Sequence, residues 1–314
     1  MKKNILIACA AIAAVILLVV IISISSKKTP LVWYVDEGLE KKWEQVIADS
    51  PLASSGGVVH VWDQLEVPRD SGILISFKPW ETDEIVKVFH RLSWELEYEG
   101  AHVIAVDPWM IFNKHTNPGL TLERINTNAS NAAGKGSILI PGRDINSVRA
   151  WTSRFIQDEP GKFPEGAVWK EWESKLFDSG VFTSNMRGYD WYAVFFRLMG
   201  NEQTWLYAPV SAIRGHRDPR KSILEASPFP ERGGNENTLL ARILWALPIK
   251  SNKKSSQKLI EDALSWLKLP ETQTKIADTF DMLPADPYGS PYDPMSLTAH
   301  RLWLTTPWIY SIYD

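Results

Sequence analysis

Cysteine is nearly absent: the 314-residue chain has one, Cys9. A lone cysteine excludes an internal disulfide and any cysteine-built metal site. Histidine is sparse too. His60, His90, His102, His115, His216 and His300 are scattered without ligand spacing, and read as solvated or core residues. No Gly-x-Ser-x-Gly elbow occurs. Gly134-Lys135 is followed by Gly136, where a phosphate-binding loop needs Ser or Thr. No cofactor, no metal and no enzymatic activity are expected. Positive charge is also short. Lys2, Lys3, Lys27 and Lys28 supply four of 34 basic groups and the first 28 residues hold no acid, so the remainder carries 30 basic against 37 acidic side chains. Such a balance argues against a nucleic-acid partner, because phosphate binding needs a clustered positive surface. No internal repeat or low-complexity tract is present.

What the chain does have is 45% hydrophobic residues, 23% charged residues and fifteen tryptophans. That is globular composition, with room for one large domain or two lobes. The tryptophans call for large flat apolar surfaces, in a core or against a ligand. One long apolar run stands at the start, from Ile5 to Ile24, between the two lysine pairs. Twenty residues at about 1.5 Å each reach roughly 30 Å, the thickness of a bilayer core. The run is longer than the usual signal-peptide core and reads as an uncleaved anchor. A cleaved signal ending near Ser23 or Ser25 is the competing reading, and Leu6-Ile7-Ala8-Cys9 offers a lipoprotein-like box as a third. All three place the rest outside the cytoplasm.

Beyond Pro30 the pattern alternates. Leu31 to Val35, Val58 to Trp62 and Gly72 to Phe77 read as strands, with β-branched and aromatic residues between polar bounds. Leu39 to Ala48 and Ile85 to Leu96 have helical spacing. Val103 to Val106 is apolar and extended, and Pro108 is expected to bend the chain before Trp109. Ile138 to Ile140, Thr204 to Tyr207 and Leu239 to Ile249 read as further strands. Ser147 to Ile156, Ala167 to Leu176, Tyr189 to Met199 and Gln257 to Leu267 read as helices, and Pro270 opens another. Arg214 to Lys221 reads as a solvated loop. The stretch from Pro284 to Pro294 holds four prolines, so the tail reads as a wrapped loop. Strands alternating with helices predict an α/β fold with a largely parallel sheet.

Four blocks, in order, resemble one family. Glu97-Tyr98-Glu99-Gly100 precedes an extended run that ends at Asn113-Lys114. Phe196 to Glu202 precedes a strand. Pro228-Phe229-Pro230 leads into Gly233-Gly234. Ala246-Leu247-Pro248-Ile249 leads through Asp262 to Leu267, then Pro270 to Gln273, and ends at Met282-Leu283-Pro284. In this order and spacing the chain resembles the family 1 extracellular solute-binding proteins, the substrate receptors of ABC importers for sugars. The resemblance implies a two-lobed periplasmic-binding-protein type II fold behind the N-terminal transmembrane or signal helix. Residues 1–28 would be the anchor or signal segment. Lobe I would comprise 29–110 plus 244–285, lobe II 111–243, and 286–314 a tail along the cleft or lobe II. The partners implied are a small-molecule ligand of carbohydrate type, ABC permease subunits, and the membrane through residues 5–24.

Sugar recognition needs aromatic faces for stacking and planar polar groups for paired hydroxyls. Positions matching the family's cleft segments offer both. They are Tyr34, Asp36 and Glu37 after the first strand, Trp62 and Asp63 after the second, and Trp80 and Glu81 after the third. The first crossing offers Asp107 and Trp109. The second lobe offers Arg143, Asp144 and Asn146, with Tyr207. Aromatics of an α/β protein more often pack in its core, and Trp43, Trp94, Trp245 and Trp266 are read that way. The chain departs from the family at two points. It ends at Asp314, where members continue with more helices. Ala208-Pro209-Val210 stands where many members carry a Gly-Pro-Trp whose tryptophan stacks on sugar. These departures keep open a tethered ectodomain with a structural or signalling role and no transport ligand. A glycosidase, with Asp36 and Glu37 facing Asp144, is a third reading.

Overall fold

The computed structural model describes residues 30–48, 50–53, 57–62, 71–77, 97–98, 100–114, 138–145, 147–148, 150, 171, 174, 184–200, 204–229, 238–249, 253–306 and 308–311. The anchor reading at 5–24 and the helix at 85–96 lie outside these residues, as do most of 147–156 and 167–176. No helix of the described residues is long and apolar enough to cross a membrane.

Three short strands form one end of the sheet: β1 (Val32–Val35), β2 (Val58–Val61) and β3 (Gly72–Ser76). β1 pairs parallel with both neighbours. Its side chains alternate, Trp33 and Val35 fully buried and Val32 and Tyr34 half-buried, as a two-residue period requires. Helix α1 (Glu40–Ala48) buries Trp43, Val46 and Ile47, which share one face at helical spacing. Trp33 meets Trp43 with ring centroids 5.4 Å apart and Trp266 at 6.4 Å. Three of the tryptophans thus fill one core. Gly72 is needed where β3 runs beside β1, because a Cβ there would press into the Val32 carbonyl oxygen.

Two long strands organise the rest. β5 (Ala101–Asn113) follows the short β4 (Glu97–Tyr98), and β9 (Thr238–Ile249) runs antiparallel to it. The strand order is β2-β1-β3-β9-β5-β7-β6, with β6 (Ile138–Leu139) and β7 (Trp205–Pro209) at the far end. β5 pairs with β9 from His102 to Pro108, then with β7 from Trp109 to Phe112 and with β8 (Glu225–Ser227) from Ile111 to Asn113. β9 passes from β11 (Trp308–Ser311) to β5 at the same level: Thr238 to Ala241 pair with β11 and Ala241 to Ala246 with β5, while β3 joins further along, from Trp245 to Ile249. Both strands therefore exchange neighbours at the Pro108–Ala241 pair. The expected bend at Pro108 is not there, and the strand continues unbroken from Ala101 to Asn113. Proline lacks the ladder N–H, and here it sits where the ladder changes hands.

The core has two clusters. One gathers β1, β3 and α1 with Ile104 and Ala105 of β5, Leu244 and Ala246 of β9, α4 (Lys254–Leu267) and α5 (Pro270–Phe280). The other takes the neighbouring residues of the same two strands, Ala101, Val103, Val106, Ile243 and Trp245, and their far ends beyond the exchange, with β6, β7, α2 (Trp191–Gly200), α3 (Val210–Arg214) and α6 (Pro294–Thr305). The tail is a helix rather than a wrapped loop. Asp293 caps α6 by accepting the Ser296 N–H at 2.8 Å, and Pro294 stands at a first-turn position where its missing N–H costs nothing. The prolines precede the helix instead of forbidding it. Met295, Ala299 and Trp303 of α6 belong to the second cluster. After β10 (Leu283–Pro284), which pairs with β5 at Ala105 and Val106, the chain passes between the clusters a third time.

Gly72→Ala is expected to destabilise the protein by about 2–4 kcal/mol, as for other backbone strain and overpacking changes. Gly188→Ala, whose Cβ would meet nothing within 4 Å, is expected to leave the urea midpoint unchanged. Equal midpoints for the two variants would contradict the packing described.

Candidate functional site

The parallel strands end together. The Trp62 N–H donates to the Val35 carbonyl at 2.7 Å and the Asp36 N–H to the Ile75 carbonyl at 3.3 Å. Asp36, Trp62 and Phe77 thereby stand at the carboxyl ends of β1, β2 and β3, where open α/β sheets bind ligands. Asp36 Oδ2 accepts the Phe77 N–H at 2.8 Å. Its Oδ1 is buried without a hydrogen bond of its own among the described residues. Burial pushes the Asp36 carboxyl above its ordinary 3.8, outweighing the Phe77 N–H and the Ser76 side chain, which pull it down. Glu37 is exposed beside it. Tyr34 is half-buried, its ring 6.1 Å from that of His60, and Trp62 is half-buried.

From here a chain of contacts leads across the exchange point. The Arg242 guanidinium lies over the Phe77 ring, 5.2 Å from its centre. Its Nη2 and Nε donate to Asp107 Oδ2 at 2.7 and 3.2 Å. The Ser211 N–H donates to Asp107 Oδ1 at 2.8 Å, and the Ser211 hydroxyl to Oδ2 at 2.7 Å. Asp107 and Arg242 are cross-strand partners, the pair next to Pro108–Ala241. Asp107 has no exposed surface, while the Arg242 side chain keeps 26% of its own. A buried carboxylate with four donors is fully served. Asp107 therefore acts as an anchor for Arg242 and α3 rather than as an open contact.

The second cluster presents its own strand end. After β6, Gly142 donates to the Met186 carbonyl and Arg143 to the Tyr189 carbonyl. A Cβ on Gly142 would strike the Met186 carbonyl oxygen, so only glycine allows this approach. Arg143 is exposed and Asp144 half-buried. Asp144 accepts the Ser147 hydroxyl at 2.5 Å.

The predicted residues thus fall into three groups. Tyr34, Asp36, Glu37 and Trp62 gather at one strand edge, and Arg143 and Asp144 stand at another. Asp107, Trp109 and Tyr207 lie inside: the Trp109 and Tyr207 rings are 5.6 Å apart, and Tyr207 stacks edgewise on Phe229 at 4.9 Å. Asp63, Trp80, Glu81 and Asn146 lie outside the described residues. Three contributors escaped sequence reading: Phe77, Ser211 and Arg242. The signal for Arg242 was present. An arginine inside the apolar run Leu239–Ile249 demands a buried counter-charge, and Asp107 inside Val103–Asn113 answers it. Arg214 was read as part of a solvated loop, whereas it is mostly buried and ion-paired. No group of three His, Cys, Asp or Glu suited to a metal ion occurs among the described residues.

No family model matches the sequence, and no curated protein is similar to it in sequence. Solved structures do match over nearly the whole chain. A putative binding protein MsmE from Bacillus subtilis, in an open conformation, matches with TM-score 0.62 at 11% identity, over 91% of this chain and 87% of that one. The cyclic alpha-maltosyl-1,6-maltose binding protein from Arthrobacter globiformis gives 0.54 at 13%, over 87% and 85%. RafE in complex with raffinose gives 0.53 at 12%, over 90% and 89%. At such identities the likeness establishes the fold: a mixed α/β chain folded as these binding proteins are.

Arg242→Met leaves Asp107 buried and short of its counter-charge. It is expected to cost about 3–5 kcal/mol in urea denaturation, and the added change Asp107→Leu to recover most of it. Asp36 behaves oppositely. With its carboxyl raised, the folded state holds the proton more tightly than the unfolded chain, so stability falls as pH rises through and above 3.8. Asp36→Asn is expected to melt higher than wild type at pH 7 and to lose that advantage below pH 3.8. A variant melting lower at pH 7 would contradict the burial argument.

Proposed function

We propose that the chain is the extracytoplasmic substrate-binding component of an ABC importer, and that it captures a sugar or oligosaccharide by hinge closure. One observation carries the reading. Two long strands part from one another and take new partners at one level, and chemistry suited to sugars stands beside that level. In this reading residues 29–110 and 244–285 form lobe I and 111–243 lobe II, with 286–314 along the cleft or lobe II. The lobes turn about β5 and β9, and ligand stabilises the closed form by touching both. Trp62 and Tyr34 offer ring faces, Asp36 and Glu37 accept hydroxyl protons, and Arg143 and Asp144 meet the ligand from lobe II. Asp63, Trp80, Glu81 and Asn146 complete the set, while Asp107, Trp109 and Tyr207 support it from beneath.

Support for carbohydrate comes from proteins of the same fold. One carries raffinose, one is a sugar transporter component from Bacillus licheniformis in complex with stachyose, and one holds maltose. The raised carboxyl of Asp36 at a strand end, with one buried oxygen lacking a hydrogen bond among the described residues, also supports a ligand there. The closed form would dock on permease subunits, with residues 5–24 tethering the receptor at the membrane. No reaction is catalysed in this reading. One observation favours a second reading, an ectodomain without transport ligand: Val210 is buried where sugar receptors of the family place a stacking tryptophan.

Calorimetry of the full chain against raffinose, stachyose, maltose and shorter sugars tests the proposal. One of them should bind without turnover, and Trp62→Ala should weaken it at least tenfold, as loss of a stacking platform does. Hydrolysis of an oligosaccharide would establish a glycosidase instead. No heat with any sugar would favour the second reading.

A further inference from the structure

α3 has only five residues, yet it holds two polar junctions. Its first turn carries Ser211, bound to Asp107 and Arg242 in the crossing strands. Its last residue, Arg214, points elsewhere. Arg214 Nη2 pairs with Asp278 Oδ1 at 2.5 Å, Nε faces Asp293 Oδ2 at 3.6 Å, and Nη1 donates to the Met282 carbonyl and, at 3.4 Å, to the Ala277 carbonyl. Lys221 in turn donates to the Arg214 carbonyl. Asp278 lies on α5, whose Ile276 and Phe280 belong to the first core cluster. Val210 and Ile213 of α3 belong to the second. Asp293 opens α6, where the third passage between the clusters ends. A single guanidinium thus joins both clusters and the third passage. Its side chain is only 11% exposed, so water screens these contacts far less than those of a surface pair.

The two junctions differ in what they join. Ser211 binds Asp107 and Arg242 in the crossing strands themselves. Arg214 reaches past those strands to α5 and the start of α6, so a turn of the clusters about β5 and β9 would change its bonds. Packing is tight there too. A Cβ on Gly215 would lie 3.3 Å from Asp281 Oδ2 and 3.1 Å from the Ser211 carbonyl. We infer that Arg214 is a positioning residue for closure: a brace beside the crossing strands that ties α3, of the second cluster, to α5, of the first. The inference rests on the receptor reading for what the motion serves, but not for the motion itself.

Single-molecule energy transfer on the full chain in mild detergent tests it without ligand. Dyes are placed through Lys258→Cys, on α4 of the first cluster, and Ile145→Cys, beside β6 of the second, in a Cys9→Ser background. Arg214→Gln and Arg214→Met are expected to shift or broaden the inter-dye distance distribution while thermal unfolding stays cooperative. Arg214→Lys, which keeps a charge for Asp278, should restore most of the wild-type distribution. Gly215→Ala, as a wedge at the same place, should shift it without touching the charge. Distributions of the Gln and Met variants that superimpose on wild type overturn the inference, whether or not their melting temperatures fall. Because this readout needs no sugar, its failure is distinct from a failure of the receptor reading, which the calorimetry decides.

Discussion

The buried ion pair of Asp107 and Arg242 is where the architecture meets the chemistry. It occupies the cross-strand position next to Pro108–Ala241, the level at which both long strands change neighbours. Desolvating two charges costs several kcal/mol, and only near-complete hydrogen bonding offsets it. Here Asp107 takes two bonds from the guanidinium and two from Ser211. The same guanidinium covers Phe77, whose N–H binds Asp36. One pair thus fixes the crossing strands, the start of α3 and the edge of the candidate site together. An apolar pair of similar volume would stabilise as well or better. What the charges add is direction, because two guanidinium donors converge on Oδ2 while the Ser211 N–H holds Oδ1.

Around that pair the molecule separates stable from adjustable parts. The cores on either side are built from large buried rings, with Trp33 and Trp43 in one and Trp303, Tyr207 and Phe229 in the other. Close-packed cores move as bodies rather than deform. Between them run three lengths of chain: β5, β9 and the stretch after β10. In the proposed receptor, closure would concentrate there, and the polar groups gathered there suit that role. Hydrogen bonds and ion pairs have distinct alternative arrangements, whereas interlocked aliphatic side chains resist sliding.

Much of the fold was legible from local pattern. Alternation over β1, the uniform apolar runs of β3 and β9, and the helical faces of α1, α4 and α5 all follow from periodicity, and Pro270 marked its helix start. Pro108 and the tail misled for one reason. Proline was weighed by what it forbids locally, while its tolerated places, a partner-exchange point and a first helical turn, are set by neighbours far along the chain. The site was half legible for the same reason. Asp36 and Trp62 follow strand ends that any reader can find. Whether Trp109 and Tyr207 face a ligand or one another depends on tertiary packing, and they face one another. Arg214 was misjudged because its partners lie 64 and 79 positions away, beyond any local pattern.

The account turns on closure of two rigid parts around a sugar. Small-angle scattering of the full chain, recorded without sugar and then with saturating raffinose, stachyose or maltose, tests it most directly. A smaller radius of gyration with whichever sugar binds, and none with the others, is the predicted result. A bound sugar that leaves the radius unchanged would contradict it.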